Sequence, residues 1–419
     1  MKYHFIGIKG SGMSALANIL KETGHEVTGS ERDNHDANRI KAGQIVVHSA
    51  AIPEDNIELI KAEELGLKIF SYPEMLGRLT REYQTVAISG CHGKTTTTNI
   101  VTHLLKSTIG CNYLIGDGRG GTDKNNDLLV IEACEYRRHF LKYFPEYTII
   151  TNIDLDHVDY FKDMDDVIDA YQSLVAKTKR MVIACGDCSN VRELKLTKQH
   201  LYYGFNFDND IIATNVKQTP EGTSFAVIIK GRTFEDFFIP LPGKHMVLNS
   251  LAAIAIGYSL DLNMEDIKEK LISMPIAKRR FNEVIINDTV VIDDYAHQTS
   301  EINVTIEAAR QKYPDQDIIA AFWPHTFSRT ERFYKEIGSA LSNADHVYVL
   351  DIFPAREQQA DYPNVSAQLI INEVSGAKQL AFDNLGQLTD HKNSVIIFMS
   401  PRDISEYHEE LTRLIKEKE

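Results

Sequence analysis

A chain of 419 residues is too long for one ordinary hydrophobic core, so two or three domains are expected. With 45 Lys and Arg against 59 Asp and Glu, its net charge of −14 argues against a general nucleic-acid binder, though local Lys and Arg can still hold anionic substrates. A mean hydropathy of −0.25 and the lack of any apolar run near the length of a membrane span place it in the soluble globular class. Five scattered cysteines (91, 111, 134, 185, 188) are an odd number, which suits a reducing compartment better than a disulfide framework. The start, MKYHFIGIKG, runs straight into a strand pattern, and a cytoplasmic location is expected.

The first block, 1–82, reads as a small Rossmann-like domain. Tyr3–Ile8 is a strand, and GIKGSGMSALANILKETG is a glycine turn opening a helix. Gly7, Gly10 and Gly12 follow the dinucleotide fingerprint, in which the backbone approaches a pyrophosphate at a helix start. The strand HEVTGSE brings Ser30 and Glu31 to a strand end suited to ligand hydroxyls. The strand QIVVHSAAIP and a helix over Asn56–Glu64 follow.

The second block, 83–277, carries the chemistry. In Thr85–Asn99, TVAISGCHGKTTTTN, a β-branched run enters a turn with Gly90 and Gly93, followed by Lys94, four threonines and a helical segment. Strand, glycine turn, lysine, hydroxyl and helix make a phosphate cradle, because glycines let backbone N–H groups close on phosphate oxygens and the helix start supplies its positive dipole end. Lys94 would neutralise the β/γ-phosphates and the Thr95 hydroxyl would hold Mg²⁺. The spacing is G-x-x-G-K-T rather than the G-x-x-x-x-G-K-[ST] of most P-loops. The strand in DLLVIEACEYRRHF ends at Glu132, and YTIITNIDLDHVDYF ends with Asn152, Asp154, Asp156 and His157; carboxylate and imidazole beside a nucleotide suit Mg²⁺ or Mn²⁺. Cys185-Gly-Asp-Cys188 stands without a second ligand pair, so no metal role is assigned to it. From Tyr202 to Pro240 the pattern turns to short strands, a small antiparallel insertion, and the helix Met246–Leu260 places His245 and Asn249 at its start, where capping or packing explains both.

The third block, 278–419, opens with KRRF and the strands EVIIN and VVIDD. Further strand–helix alternation, with a helix from Glu331, argues a doubly wound parallel sheet. Asp294, His297, His325 and Arg329 fall just past strand C-terminal ends, the ligand side of such a sheet.

Taken together, GIKGSGMSAL, SAAIPEDN, SGCHGKTTTT, LIGDGRG, IEACEYRRHF, TNIDLDHVDYF, LNSLAA, KRRFNE, DDYAH and PHTFSRT resemble, in order and over nearly the whole chain, the Mur ligases, and most closely their alanine-adding branch. The resemblance implies an α/β, three-domain, ATP-dependent amide ligase of peptidoglycan precursor synthesis. Its fold would be a Rossmann-like N-terminal domain, a P-loop-type central domain with a small antiparallel insertion, and a Rossmann-like C-terminal domain. The implied substrates are ATP, UDP-N-acetylmuramate and L-alanine, joined through an acyl phosphate, with Mg²⁺ or Mn²⁺ as cofactor. By the same resemblance Gly7, Gly10, Ser11, Gly12, Met13, Ser30 and Ser49 receive the UDP-substrate, and Gly90, His92, Gly93, Lys94, Thr95, Thr96, Asn249, Arg280 and Asp294 receive ATP. Thr95, Glu132 and His157 would hold metal; Lys94, Glu132, His157 and Arg280 would be catalytic; and His297, His325 and Arg329 would face the amino acid. Gln172 stands roughly where several relatives use a carbamylated lysine, in agreement with the alanine-adding branch.

Departures from the family pattern are His297-Gln298-Thr299 for HHP, Ser400-Pro401-Arg402-Asp403 for GAGD, His245-Met246 for HN, and a stretch between Asp33 and Val46 shortened by about one strand–helix step. They touch the UDP, amino-acid and C-terminal sites and leave the ATP and metal residues intact. Two further readings follow: a related ligase with a different amino acid, peptide or acceptor carboxylate, and a nucleotide-binding protein without turnover. Oligomeric state, monomer or dimer, is left open by the sequence.

Overall fold

Three runs of buried strands set the architecture of the computed structural model, which describes residues 1–31, 34–123, 125–355 and 357–418. β1 (Lys2–Ile6), β2 (Glu26–Ser30), β3 (Gln44–His48) and β4 (Lys68–Ser71) form a parallel sheet in the order β2-β1-β3-β4. Its helices are α1 (Ser11–Glu22), α2 (Ile57–Glu64) and α3 (Tyr72–Glu82). Asp33, where the expected shortening begins, lies outside the described residues; from Asn34 onward only a single 3₁₀ turn, Ala37–Arg39, precedes β3. β4 hands directly to α3, whose start is closed by a capping box between Ser71 and Glu74.

The second sheet has ten strands: β5 (Gln84–Ser89), β6 (Asn112–Leu114), β7 (Gly120–Gly121), β8 (Leu128–Glu132), β9 (Tyr147–Ile150), β10 (Met181–Cys185), β11 (His200–Gly204), β12 (Ile211–Thr219), β13 (Gly222–Ile229) and β14 (Arg232–Ile239). They are ordered β14-β13-β12-β11-β10-β9-β5-β8-β6-β7. The parallel centre is nearly continuous apolar sequence, as strands covered on both faces must be. β12, β13 and β14 are joined by two-residue turns; in the second, Lys230 and Gly231 both take positive φ, the geometry of a tight hairpin. The helices are α4 (Lys94–Thr108), α5 (Met164–Lys177), the single turn α6 (Ser189–Arg192), α7 (Lys244–Ser259) and α8 (Met264–Ile272).

The third sheet, β15 (Asn282–Ile286), β16 (Thr289–Asp294), β17 (Asp317–Phe322), β18 (His346–Val349), β19 (Lys378–Gln379) and β20 (Ser394–Met399), runs β15-β16-β20-β17-β18-β19. All neighbours are parallel except β15, which pairs antiparallel with β16. The expected all-parallel alternation therefore gains a hairpin edge, turned by Asn287 at φ 58°. α9 (Thr299–Lys312), α10 (Phe327–Leu341), α11 (Gln368–Glu373) and α12 (Ser405–Glu417) complete it. α10 begins at Phe327 rather than Glu331, because the Thr326 side chain accepts from the Arg329 N–H and caps the helix earlier.

By packing, the chain divides into two compact units: 1–214 with 226–237 and 248–275, and 276–419 with 215–225 and 238–247. In the latter, Gln311 ties the hairpin tip to α9, donating to the carbonyls of Thr219 (3.0 Å) and Gly222 (3.1 Å) and accepting from the Gly243 N–H (2.7 Å). Among the described residues no helix is long and apolar enough to cross a membrane.

Candidate active site

The cradle is built where β5 leaves the sheet. Gly90 has φ 139°, and a Cβ there would lie 2.0 Å from Thr151 Oγ1. Gly93 caps α4 at φ 75°, with Asn249 Oδ1 2.9 Å from where its Cβ would be. The turn between them is fastened from the exit of β9: Asn152 Oδ1 accepts from the His92 N–H (2.9 Å), and Asn152 Nδ2 (3.0 Å) and Thr151 Oγ1 (2.6 Å) donate to its carbonyl. Thr97 Oγ1 donates to Asn249 Oδ1 at 3.1 Å, so Asn249 stands beside the helix start with Thr96 in the first turn.

Lys94 Nζ donates to the carbonyls of Gly90 (2.5 Å) and Cys91 (3.1 Å) and lies 3.0 Å from Glu135 Oε2 and 3.1 Å from Oε1. Glu135 is 1% exposed. Burial opposes the Lys94 charge most, yet Glu135, with Cys134, Glu132 and Cys91 adding to it, holds the ammonium above the usual lysine value. For Glu135 burial pushes upward, and Lys94 with His157 brings the carboxyl below its ordinary range. Both partners are thus charged.

At the next residue, Thr95 Oγ1 donates to Glu132 Oε2 at 2.9 Å, and the Gly116 N–H donates to the same oxygen at 3.0 Å. His157, at φ 51°, carries Nε2 to 3.6 Å from Glu135 Oε1 and 3.8 Å from Asp156 Oδ2. Ligand atoms of Glu135, Asp156 and His157 all lie within 4.8 Å of one another. Among the described residues Glu135 Oε2 has the Lys94 ammonium as its ion-pair partner but accepts no further hydrogen bond, and Asp156 is buried. Two carboxylates and an imidazole gathered within this distance are a donor set that fits a hard divalent cation such as Mg²⁺ or Mn²⁺. The sequence expectation pairs Glu132 with His157; in the structure the carboxylate beside His157 is Glu135, and Glu132 stands on Thr95. The signal for Glu135 is the second glutamate of IEACE. Gln172 is engaged with Lys195, donating to its carbonyl (3.2 Å) and accepting from its N–H (2.8 Å). Cys185 and Cys188 are free thiols.

The N-terminal glycine turn lies in the same unit. The Gly7 N–H donates to the Ser30 carbonyl (2.9 Å) at φ 82°, and a Cβ on Gly7 would meet Ser49 Cβ at 3.3 Å. Gly10 precedes α1, Ser11 is exposed, and a Cβ on Gly12 would lie 2.7 Å from the Tyr72 ring. Met13 is 3% exposed in the core, and Ser30 is 1% exposed with its hydroxyl donated to the buried Glu58. The turn 116–121 reaches α1, since a Cβ on Gly118 would stand 3.5 Å from Ser11 Cα and one on Gly120 2.7 Å from the Ala15 carbonyl.

The other unit holds Arg280, Asp294, His297, His325 and Arg329. Asp294 is 7% exposed; it accepts from the N–H groups of Phe281 (2.7 Å) and Ala296 (2.8 Å), and burial raises its pKa. The Arg280 guanidinium lies 4.8 Å from the Tyr295 ring centroid. His297 and His325 rings are 6.1 Å apart, and His297 Nδ1 is 3.2 Å from Glu301. Arg329 stands on the first turn of α10. The departure at Gln298 is structural: it opens α9 in a capping box with Glu301, which also accepts from the His297 N–H at 3.0 Å.

Three family profiles match in succession: the Mur ligase family catalytic domain over residues 2–84, the Mur ligase middle domain over 88–257, and the Mur ligase glutamate ligase domain over 279–405. Among solved structures the chain is similar to UDP-N-acetylmuramate-alanine ligase MurC from Thermotoga maritima, with TM-score 0.80, 23% identity and 100% of both chains covered. It is similar to a murein peptide ligase from Psychrobacter arcticus, with TM-score 0.70, 20% identity, and 99% of this chain and 98% of that one covered. It also resembles MurF ligase from Thermotoga maritima in complex with ADP, with TM-score 0.70, 17% identity, and 92% and 98% covered. At these identities the structural likeness is one of fold.

Proposed function

The chain belongs to the Mur ligase family, and we propose that it is the ATP-dependent ligase joining L-alanine to the carboxylate of UDP-N-acetylmuramate. The observation that carries nucleotide use is the Lys94 ammonium, held at the mouth of a glycine turn by two carbonyls and Glu135 at the start of a fifteen-residue helix. The motifs that most closely resemble the alanine-adding branch, from GIKGSGMSAL to PHTFSRT, support the acceptor and the amino acid. Domains at 1–82, 83–277 and 278–419 for sugar acid, ATP and amino acid are part of the same proposal.

In this reading the sugar-acid carboxylate attacks the γ-phosphorus, giving an acyl phosphate and ADP; the amine then attacks the acyl carbon, and phosphate leaves. Lys94 exchanges its carbonyl partners for phosphate oxygens and keeps positive charge where negative charge accumulates. N–H groups at the start of α4 hold the phosphates. Thr95, Glu132, Glu135, Asp156 and His157 are the donors available to a divalent cation, which when bound would neutralise phosphate charge. Arg280 and Asp294 would contact the nucleotide, and His297, His325 and Arg329 the amino acid, whose carboxylate an arginine fork suits.

A second reading, a related ligase with another amino acid or a peptide, is favoured by Gln298, which occupies the helix cap where the family pattern has histidine. Phosphate release from ATP, measured with UDP-N-acetylmuramate and a panel of amino acids and peptides, tests both. Turnover requiring UDP-N-acetylmuramate and L-alanine is expected. Turnover with a different amine transfers the assignment to the second reading, and nucleotide binding without release in any mixture overturns both.

A further inference from the structure

Away from every residue assigned above, α3 turns one face toward an open groove of about 370 Å³. Glu74, Gly77, Arg78 and Arg81 line it at the i, i+3, i+4 and i+7 spacing of a single helix face. Across from them stand Lys142, Phe144 and Lys177, and β4 contributes Phe70. Gly77 permits the approach: a Cβ there would lie 2.4 Å from the Lys142 carbonyl oxygen.

Four cations converge here on one carboxylate, in a protein whose net charge is −14. Glu74 reaches Lys142 at 3.4 Å, while among the described residues Arg78, Arg81 and Lys177 form no ion pair with a carboxylate. Each is fixed instead by an aromatic face: Arg81 at 3.6 Å and Lys177 at 4.6 Å from the Phe144 ring centroid, Arg78 at 5.0 Å from that of Phe70. Lys177 also donates to the Leu141 carbonyl. Burial, with Arg81 and Lys142 as like charges, draws the Lys177 pKa below its ordinary value. Charges held in place and repelling one another are relieved by an anion, and little ordering entropy remains to be lost when it binds.

We propose that this groove is a second anion site, taking a phosphate group, free or as a monoester, between the Arg78 and Arg81 guanidinium forks and the Lys142 and Lys177 ammonium groups. Guanidinium planes match phosphate oxygens in pairs, and the volume lies within the ~300–1,000 Å³ of small-molecule sites. Phe70 and Phe144 offer an apolar wall to the organic part of an ester.

Lysine acetylation footprinting on the full chain tests it, at constant ionic strength, with inorganic phosphate and with glucose 6-phosphate as probes. Site occupancy slows labelling by 1 + [L]/Kd, so 5 mM probe against a Kd of about 1 mM gives roughly sixfold slowing at Lys142 and Lys177. Lys2, which does not line the groove, is the internal reference and should be unchanged. In Arg78→Ala/Arg81→Ala the slowing should vanish. Stronger slowing by glucose 6-phosphate identifies an ester ligand, and equal or stronger slowing by phosphate identifies the free anion. No slowing in the natural protein, equal slowing at Lys2, or slowing that persists in the double variant overturns the proposal. Because the footprint is local, the outcome is independent of whether the Lys94 cradle binds nucleotide.

Discussion

Removing the Lys94 ammonium should do two separable things, because its partner is buried. At 3.0 Å and an effective dielectric constant of about 20, the attraction between Lys94 and Glu135 is roughly 5–6 kcal/mol. Desolvation cancels part of this, and breaking a buried pair from one side ordinarily costs about 3–5 kcal/mol, since the remaining charge is stranded. Lys94→Met leaves Glu135, 1% exposed, with His157 at 3.6 Å as its one ion-pair partner among the described residues. We expect Lys94→Met to lower stability by about 3 kcal/mol, and Lys94→Met/Glu135→Gln to recover most of it, a coupling of at least about 2 kcal/mol. Phosphate release should fall by at least about a hundredfold in both, because the preorganised charge is gone in both.

Urea unfolding followed by far-ultraviolet circular dichroism at about pH 8.5, where an ordinary imidazole is neutral, is the suitable assay. Fluorescence is not, since the one tryptophan, Trp323, lies in the other unit. A coupling below about 1 kcal/mol would refute the buried pair. Restored turnover in the double variant would refute the role of Lys94 in the cradle.

Three further perturbations test neighbouring parts. Gly90→Ala puts a methyl group 2.0 Å from Thr151 Oγ1 at φ 139°; nucleotide affinity should fall at least about tenfold, and calorimetric binding equal to the natural protein would contradict the geometry of the turn. His157→Ala should raise the Mg²⁺ concentration needed for half-maximal rate more than the KM for ATP; an unchanged metal dependence removes His157 from the cation site. His245 is pushed down to about 4 by burial and by the Arg280 charge. Because its folded pKa lies below the unfolded value near 6.5, the stabilisation is complete above about pH 6.5 and is lost as pH falls toward 4, about 3 kcal/mol at most. His245→Gln should therefore lose less stability than the natural protein between about pH 7 and 4.5, and parallel pH profiles would exclude His245 as the source.

How far the site is legible in the sequence depends on how local its parts are. The cradle occupies one continuous stretch, so strand, glycines, lysine and helix could be read directly from Thr85 to Asn99, and the alternation of apolar strands with helices gave the sheets. Which glutamate of IEACE meets His157 could not be read this way. Glu135 stands three residues past the end of β8, at the cap of the 3₁₀ segment Tyr136–Lys142, and there its carboxylate meets Lys94 at 3.0 Å. No periodicity announces it. The α10 start was missed for a related reason, since a single cap, Thr326, decides it. The basic groove was invisible because its charges come from α3, the 3₁₀ segment and α5, each an ordinary solvated face by itself.

Within the larger unit, the two glycine turns are mechanically joined through Glu132. Its Oε2 accepts at once from Thr95, on the first turn of α4, and from the Gly116 N–H, which opens the turn carrying Gly118 and Gly120. That turn packs so closely on α1 that a methyl at Gly120 would stand 2.7 Å from the Ala15 carbonyl. Arg119 within it is held by Asp117 and donates to Asn99 Oδ1, on α4, at 2.8 Å. If the glycine turn of α1 takes the acceptor's pyrophosphate, as proposed above, these contacts are the path by which a shift of α1 would reach the oxygen that positions Thr95, and by which a shift at Thr95 would return. Coupling of this kind is reciprocal in free energy, so the segment 116–121, which matches neither glycine fingerprint, is where an acceptor and a nucleotide would sense one another.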